Sequence, residues 1–429
     1  MPQRALFISH GHPSTNVGGA ELYAYHLCKE IGGLEGWEST LLARTISDGY
    51  RFERGTPFRS PDDGSDDILW LPDGYDPFFL TNPDKEHFSI HFDRLLREIR
   101  PDVVDIQHTA GLGLDIVRQV RSSLPDVPIV YTLHEYQPIC HNRGLMLRTT
   151  RDELCLRASP QRCHDCFPNL APQSFFLRER LAKAHLRHVD LFLAPSRFLL
   201  ERYVEWGVRE DRIRYQPYGL LIDPGETTPE PDEREPPISR FGFFGQLAQH
   251  KGIFVLLEAL RSLVSAGIDD LRVYLNGCNL EFQTPEFRDR LDELCVELRD
   301  HVVLLGKYDR ADLRALMADV AWVVVPSIWW ENSPLVIQEA FAFGRPVICS
   351  DIGGMAEKVE HGVNGLHFAA GDPLSLAETL RAAARSRTGW RRLRSGIPAP
   401  YTLREAARAQ VETYRSLLAG RQSRVCLSA

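Results

Sequence analysis

The sequence predicts an α/β protein built from two doubly wound parallel-sheet domains. Three observations lead to this prediction. Apolar segments of strand length alternate with amphipathic helical segments, the alternation stops once at a Pro- and Glu-rich stretch, and it then starts again. Apolar strands separated by helices are typical of a parallel sheet that is covered on both faces. A length of 429 residues suits two such domains and excludes one small module.

The composition is that of an ordinary folded protein. Hydrophobic residues make up 43% of the chain and charged residues 25%, which indicates neither disorder nor a membrane-embedded protein. Fifty basic and 58 acidic residues give a formal net charge of −8, which disfavours nonspecific nucleic-acid binding. No stretch approaches the roughly 20 apolar residues of a membrane span, and the N-terminus lacks the apolar core of a signal peptide. We therefore expect a cytoplasmic protein that does not bind nucleic acid.

The first domain is predicted to span residues 1–221. Its first strand, Ala5–Ser9, precedes a glycine-rich turn at Gly18 and Gly19 and then an amphipathic helix. Residues 54–76 are rich in Pro, Gly and Asp without sustained periodicity, which predicts a long mobile loop. Three further apolar segments predict strands in the same order: Val103–Ile106, Pro128–Leu133 and Leu191–Ala194.

Residues 222–239 are dense in Pro and Glu and are predicted to be an interdomain linker. The second domain is predicted to span residues 240–400, and residues 401–429 to form a final helix that can pack on either domain. Apolar segments predict the strands of the second domain: Arg240–Gly245, Leu271–Leu275, Val302–Leu305, Trp322–Val325 and Pro346–Cys349.

The most informative loop runs from Ser327 into a helix. Ligands of open parallel sheets bind beyond the carboxyl ends of the strands. Ser333 is predicted to be the N-cap and Pro334 to lie in the first helical turn, whose free N–H groups attract phosphate. Glu331 and Glu339 can flank one polyhydroxylated ligand, because each carboxylate accepts hydroxyl hydrogen bonds. Each glutamate taken singly is better explained as a solvated charge, and it is their combination with the helix start that favours a site.

Two glycine-containing junctions are weaker signals. Gly245 lets a ligand approach the backbone, and Lys251 near the next helix start adds a positive charge for a phosphate, although surface lysines are common. Gly18 and Gly19 suit a phosphate or sugar at a helix start, but a Gly-Gly pair is more often only a turn. The dinucleotide pattern Gly-x-Gly-x-x-Gly is absent at this position.

Five motifs occur together in this chain: Glu331-x7-Glu339, the Gly245–Gly252 segment, Pro195-Ser196-Arg-Phe, Gly353-Gly354-Met-Ala-Glu357 and Asn364-Gly365. Together they resemble the family 4 retaining glycosyltransferases (group 1) of the GT-B fold. The resemblance covers nearly the whole chain and is most specific between Arg240 and Leu380. It implies two Rossmann-like domains facing across a cleft, an acceptor on the first domain, a nucleotide-sugar donor on the second, and a last helix that returns to the first.

The resemblance also implies roles for individual residues. His134, Glu331 and Lys251 would be the catalytic residues: the histidine near the reacting carbon, the glutamate on donor hydroxyls, and the lysine on the diphosphate. His134 can equally be a buried histidine tied to a backbone carbonyl. Retention of anomeric configuration is implied, with no metal at the diphosphate and no organic cofactor. The residues implied to bind the donor are Gly18, Gly19, Gly245, Gln246, Lys251, Ser333, Pro334, Leu335, Val336 and Glu339.

Gln246 departs from the family pattern, because members usually have an arginine at this position. Its amide donates a hydrogen bond but supplies no charge for the diphosphate. The predicted activity is transfer of a sugar to a glycan, lipid-linked or small-molecule acceptor. The alternatives are a nucleotide-sugar epimerase or phosphorylase on the same fold, and a noncatalytic nucleotide-sugar-binding subunit.

Four cysteines are clustered in a short stretch after His134. Four thiolates are the number that a closed tetrahedral zinc site requires, and Cys-x2-Cys is its usual anchor, so we predict a structural zinc ion. Free cytosolic thiols or a disulfide are the alternatives. The predicted ligands are Cys140, Cys155, Cys163 and Cys166.

One helical segment combines basic and apolar side chains. Phe175, Phe176 and Leu177 lie beside Arg178 and further basic residues, a combination that suits peripheral contact with the anionic inner face of a membrane. A solvated helix face explains the same pattern. The further basic residues are Arg180, Lys183 and Arg187.

Overall fold

A computed structural model describes residues 1–15, 18–45, 56–61, 64–72, 74–83, 85–151, 153–222 and 235–428, with the backbone alone for 85–88 and 421–428. The chain divides into two compact units. The N-terminal unit comprises Met1–Leu221 together with Tyr401–Ala429, and the C-terminal unit comprises Ile222–Pro400. Most of the predicted linker, residues 223–234, lies outside the described residues.

The N-terminal unit contains an eight-stranded sheet in the order β3-β4-β2-β1-β5-β6-β7-β8 within the described residues. All neighbouring strands pair in parallel except β3 and β4. Its strands are β1 (Gln3–Ser9), β2 (Trp37–Arg44), β3 (Phe58–Arg59), β4 (Ile68–Trp70), β5 (Val103–Ile106), β6 (Ile129–Thr132), β7 (Leu191–Ala194) and β8 (Ile213–Tyr215). Its helices before the linker are α1 (Gly19–Gly32), α2 (Lys85–Ile99), α3 (Asp115–Ser123), α4 (Pro160–Cys166), α5 (Pro172–Leu186) and α6 (Arg197–Trp206).

The prediction of an uninterrupted loop over residues 54–76 is wrong. The described part of this stretch contains β3 and β4, which extend one edge of the sheet. Aromatic packing holds these two strands in place. The Trp70 ring stacks on Phe92 at 5.2 Å between centroids and packs against Phe58 at 5.4 Å. A strand of three residues is too short to give a periodic sequence signal, so its neighbours determine it.

The C-terminal unit contains a six-stranded parallel sheet in the order β11-β10-β9-β12-β13-β14. Its core lies where the apolar strand residues meet the buried faces of helices α7 and α12, through Phe241, Leu256 and Leu376 among others. The strands are β9 (Arg240–Gln246), β10 (Arg272–Cys278), β11 (Val302–Gly306), β12 (Trp322–Val325), β13 (Val347–Ser350) and β14 (Gly365–Phe368). The helices are α7 (Ile253–Ser265), α8 (Pro285–Glu297), α9 (Leu313–Ala318), α10 (Leu335–Ala342), α11 (Gly353–Lys358), α12 (Pro373–Ala383) and α13 (Arg387–Ser395).

The last helix, α14 (Leu403–Ser428), belongs to the N-terminal unit. Its Tyr414 ring packs on Trp37 at 5.4 Å between centroids. Upstream of the helix, the Leu220 N–H donates to the Tyr401 carbonyl at 2.7 Å. Within the described residues, no helix combines the length and the hydropathy that crossing a bilayer would need.

Candidate functional site

Lys251 is positioned by the turn that joins β9 to α7. Gly252, the next residue, has φ +74, and a Cβ added there would lie 1.8 Å from the Pro326 carbonyl oxygen. This combination requires glycine, because the left-handed backbone and the close approach both exclude a side chain. The turn therefore packs Lys251 against the loop that follows β12.

Lys251 and Glu331 form a direct ion pair. The Lys251 Nζ donates to the Glu331 Oε1 at 2.6 Å, and the Ser327 hydroxyl donates to the same oxygen at 2.8 Å. Glu331 is buried, whereas the Lys251 side chain is 26% exposed. The pair is thus accessible from the lysine side, and the Glu331 Oε2 is not used by either hydrogen bond.

The environment keeps Glu331 ionised. Burial by itself raises the pKa of this carboxyl, but the charge and hydrogen bond of Lys251 and the hydroxyl of Ser327 outweigh it, so the pKa lies below its usual value. Gly354 supports the loop from the other side, since its N–H donates to the Glu331 carbonyl at 2.8 Å. A Cβ at Gly354 would lie 1.5 Å from the Asn332 carbonyl oxygen, which explains the glycine.

Helix α10 begins one residue later than predicted. Pro334, not Ser333, is the N-cap, and no side chain caps the first turn. The predicted N-cap role of Ser333 is therefore wrong, because its hydroxyl neither donates nor accepts a hydrogen bond in the first turn. The buried Ser333 hydroxyl has no hydrogen-bond partner among the described residues. The first-turn N–H groups of Leu335 and Val336 thus begin a helix without a side-chain cap beside an unpaired hydroxyl.

The remaining predicted residues of the C-terminal unit are Glu339, Gly245 and Gln246. Glu339 is half-buried on α10, and burial raises the pKa of its carboxyl, with Arg310 opposing the shift. Gly245 has φ +144 with open space around its missing Cβ. Gln246, the last residue of β9, is exposed.

In the N-terminal unit, His134 lies just beyond β6 and is half-buried. Its Nε2 is 3.0 Å from the Gln107 Oε1, and its Nδ1 is 2.5 Å from the Tyr218 hydroxyl. The carbonyl oxygen of Gln107 only accepts, so Nε2 carries the proton and Nδ1 accepts from Tyr218. Two side chains therefore hold the His134 ring.

Burial and the neighbouring His10 lower the pKa of His134 to about 3, with Glu21 opposing. The imidazole is therefore neutral at physiological pH. Gln107 is itself fixed, because its Nε2 donates to the Asp105 Oδ1 at 2.8 Å. This second hydrogen bond determines which end of the amide faces His134.

Two more histidines lie beside His134 at the same edge of the sheet. His10 follows β1, and its ring lies 3.9 Å from the ring of His108, which follows β5. His10 is 3.0 Å from a Glu21 carboxylate oxygen. Gly18 and Gly19 begin α1 beside this glutamate, and a Cβ on Gly18 would lie 2.5 Å from the Glu21 Oε2. Gly18 therefore makes room for Glu21.

The structure does not support the predicted zinc site. Among the described residues, no group of three or more His, Cys, Asp and Glu side chains is arranged to hold a metal ion. Cys140, Cys155, Cys163 and Cys166 are free thiols. Burial raises the pKa of the Cys140 thiol to about 12, and the Cys155 thiol donates to the Arg157 carbonyl at 3.4 Å.

The side chains of α5 that suggested membrane contact have different environments. Arg178 is buried and donates to the carbonyls of Gln137 and Pro138, so it is structural. Lys183 pairs with Glu179 at 2.5 Å. Phe176 and Leu177 are exposed, whereas Phe175 is buried.

Comparison with known families identifies the class of protein. Residues 239–386 match the model of the glycosyl transferases group 1, and residues 17–220 match the model of glycosyltransferase family 4. The chain belongs to this family: it is a group 1, family 4 glycosyltransferase, and its two parallel-sheet units are those of the GT-B fold.

Individual relatives are more distant. An uncharacterized glycosyltransferase of Methanocaldococcus jannaschii is 34% identical over 137 residues, 32% of this chain and 33% of the relative. The chain thus spans about a third of the length of the curated relatives it matches.

Two solved structures show the fold over nearly the whole chain. Sucrose-phosphate synthase from Thermosynechococcus elongatus has a TM-score of 0.72 at 20% identity, covering 97% of this chain and 100% of the other. The Anabaena protein HepE in complex with UDP has a TM-score of 0.68 at 19% identity, covering 96% and 100%.

Sequence reasoning missed several residues that shape the two sites. Ser327, His10 and His108 each follow a strand, so the rule that selected His134 would also have found them. Tyr218 gave no local signal, because it meets His134 across 84 residues of sequence.

Proposed function

We propose that this glycosyltransferase moves a sugar from a nucleoside-diphosphate sugar to a hydroxyl of a glycan, lipid-linked or small-molecule acceptor. We also infer that the anomeric configuration is retained and that no metal is needed at the diphosphate. The observation that carries the proposal is the Lys251–Glu331 pair beside the start of α10, which no side chain caps. UDP in the related Anabaena structure supports a nucleotide as the ligand.

The diphosphate would bind between Lys251 and the start of α10. A lysine ammonium has three N–H donors, and Glu331 uses one of them. The free N–H groups of Leu335 and Val336 and the Ser333 hydroxyl would supply neutral donors. These groups stabilise the negative charge that develops on the leaving diphosphate as the glycosidic bond breaks.

The two glutamates would hold the polyhydroxylated parts of the donor. The Glu331 Oε2, not used by Lys251 or Ser327, can accept a hydrogen bond from a sugar hydroxyl. Glu339 lies further along α10 and suits the ribose diol. Both its ionised and its protonated form can hydrogen-bond to a diol. The ion pair with Lys251 fixes Glu331 before the ligand arrives, which reduces the entropy lost on binding.

Retention follows if the acceptor hydroxyl attacks from the face that the diphosphate leaves. The new bond forms between the acceptor oxygen and the anomeric carbon, the carbon–oxygen bond to the diphosphate breaks, and the acceptor proton passes to a diphosphate oxygen. His134 would contact the reactants through the carbon atoms of a neutral ring, because both of its nitrogens are engaged by Gln107 and Tyr218.

A noncatalytic nucleotide-sugar-binding subunit is the second candidate. The observation that favours it is Gln246, an exposed and uncharged residue at the end of β9 where family members usually carry a positive charge. Product formation with any acceptor would eliminate it.

The test is thermal unfolding of the intact protein with UDP, GDP, ADP and TDP in turn, with and without EDTA. At least one nucleotide should raise the Tm, equally in both conditions. Lys251→Met should weaken the binding of that nucleotide at least tenfold. Lys307→Met, which changes an exposed lysine of the same unit, should not. A protein that no nucleotide stabilises, or a Lys251→Met variant that binds normally, would refute the proposal. The anomeric proton coupling of a transferred sugar then tests retention.

A further inference from the structure

The carboxyl ends of three neighbouring strands place a basic side chain and two imidazoles in one row. In the register of β1 with β2, Ser9 lies opposite Ala43, so His10 comes level with Arg44. In the register of β1 with β5, Ile8 lies opposite Ile106, so His10 also comes level with His108. The 3.9 Å between the two histidine rings agrees with this alignment.

Arg44 has no counter-charge in this row. Among the described residues it makes no ion pair, and its buried Nε has no hydrogen-bond partner. The guanidinium lies against Gly111, where an added Cβ would be 2.4 Å from the Nε. Holding a half-buried charge without a partner is unfavourable, and an anionic ligand would remove that cost.

The neighbouring acids do not compensate Arg44. Glu21 is engaged by His10 at 3.0 Å. Glu135 lies 3.5 Å from the His108 Nε2, and burial raises the pKa of its carboxyl to about 8, so it is mostly protonated at neutral pH. His108 is itself neutral, because burial lowers its pKa well below the usual value. Arg44 is thus the positively charged group of this row. The carboxylate of Glu21 is already paired with His10.

His10 offers a second polar atom to a ligand. Its Nε2 faces the Glu21 carboxylate and therefore carries a proton. Its Nδ1 is buried and has no hydrogen-bond partner in the described part of the chain. An anion on Arg44 would place the rest of the ligand beside this nitrogen, which accepts from a hydroxyl when the ring is neutral.

We propose that Arg44 binds an oxyanion, a carboxylate or a phosphate, carried by the sugar acceptor, and that His10 contacts a hydroxyl of the same molecule. That the ligand is a sugar acceptor rests on the proposed function, whereas the anion site itself does not. Ligands of open α/β sheets bind beyond the carboxyl ends of the strands, which is where this row lies. A guanidinium suits both oxyanions because its planar fork donates two parallel hydrogen bonds.

The test compares three small probes on the intact protein without nucleotide: glucose, glucuronate and glucose 6-phosphate. Binding is followed by ligand-observed NMR. At least one charged probe should bind the wild-type protein tenfold or more tightly than glucose, and the preferred probe distinguishes a carboxylate from a phosphate. Arg44→Gln should remove this preference, Arg44→Lys should retain part of it, and Arg97→Gln, an exposed arginine of the same unit, should retain all of it.

Two results would overturn the proposal. One is equal binding of charged and neutral probes by the wild-type protein. The other is a lower Tm of Arg44→Gln without ligand, because a structural arginine is destabilising to lose, whereas an unpaired one is not. UDP stabilisation of Arg44→Gln, measured in parallel, separates failure here from failure of the proposed donor site.

Discussion

The two units hold their charged groups in opposite ways. In the C-terminal unit, Lys251 and Glu331 neutralise each other at 2.6 Å, so the site is electrostatically paired before any ligand is present. In the N-terminal unit, Arg44 stands without a carboxylate partner in the described residues, and His134 and His108 are neutral.

This contrast separates two ways of preparing a site. A paired site fixes its side chains and offers the ligand the hydrogen-bonding atoms that the pair leaves unused, which sets position more than affinity. A site with an unpaired charge stores an unfavourable burial energy that a ligand of opposite charge relieves. Both residues of the pair, Lys251 and Glu331, belong to motifs that the sequence shows, although their contact is tertiary. The unpaired Arg44 is recognised only when neighbouring strands are aligned.

The largest expected effect comes from breaking the pair. Glu331→Ala removes both the fixed partner of Lys251 and the acceptor for donor hydroxyls, so kcat/KM for sugar transfer should fall at least about 100-fold. Initial rates with the donor found by the nucleotide screen measure this. Glu297→Ala, an exposed glutamate of the same unit, should leave the rate unchanged. Similar rates for both variants would show that the pair does not serve the reaction.

Disturbing the turn that presents Lys251 should cost stability. Gly252→Ala combines a left-handed backbone with a clash against the Pro326 carbonyl, and we expect a loss of more than about 2 kcal/mol in the free energy of unfolding. Gly267→Ala has nearly the same φ, +78, with nothing near its Cβ, and should lose about 1 kcal/mol. Denaturant unfolding measures both. Equal losses would mean that the contact with Pro326 is unimportant.

A smaller, pH-dependent effect is expected where α14 meets the N-terminal sheet. The buried Asp105 accepts from Tyr414 and from Gln410, and burial raises its pKa to about 6. Because the folded protein holds this proton more tightly than the unfolded chain, the contribution of Asp105 to stability falls as pH rises from about 4 to about 6.

Tyr414→Phe removes a hydrogen bond to the charged form of Asp105. The variant should therefore lose about 1–3 kcal/mol relative to wild type at pH 8 and less at pH 5. Unfolding at the two pH values tests this, with Tyr274→Phe of the other unit as the control. A loss that is equal at both pH values would exclude Asp105 as its cause.

The smallest expected change concerns His134. Its ¹⁵N resonances should show the neutral Nε2–H form throughout pH 5–9, because its pKa lies near 3. Tyr218→Phe should cost no more than about 1 kcal/mol in stability. Titration of His134 near its ordinary pKa would contradict the buried hydrogen-bonded network.

The fold was largely predictable, and the exceptions have physical reasons. The segments Val103–Ile106, Leu191–Ala194 and Trp322–Val325 were predicted with the observed bounds, because continuous apolar runs mark buried parallel strands. The short strands β3 and β4 were not predicted, since two or three residues leave no periodicity. Ser333 failed as an N-cap because a serine before a proline satisfies the sequence pattern whether or not its hydroxyl reaches the helix.

The sequence by itself determined the alternation of strands and helices, the break between the units, and the local motif that contains Glu331 and Glu339. Those features depend on neighbouring residues along the chain. Only the tertiary structure decided that Lys251 meets Glu331 across 80 residues and that Tyr414 meets Asp105 across 309. Such partners are chosen by strand order and helix packing, because burial brings together polar groups that no periodicity in the chain connects.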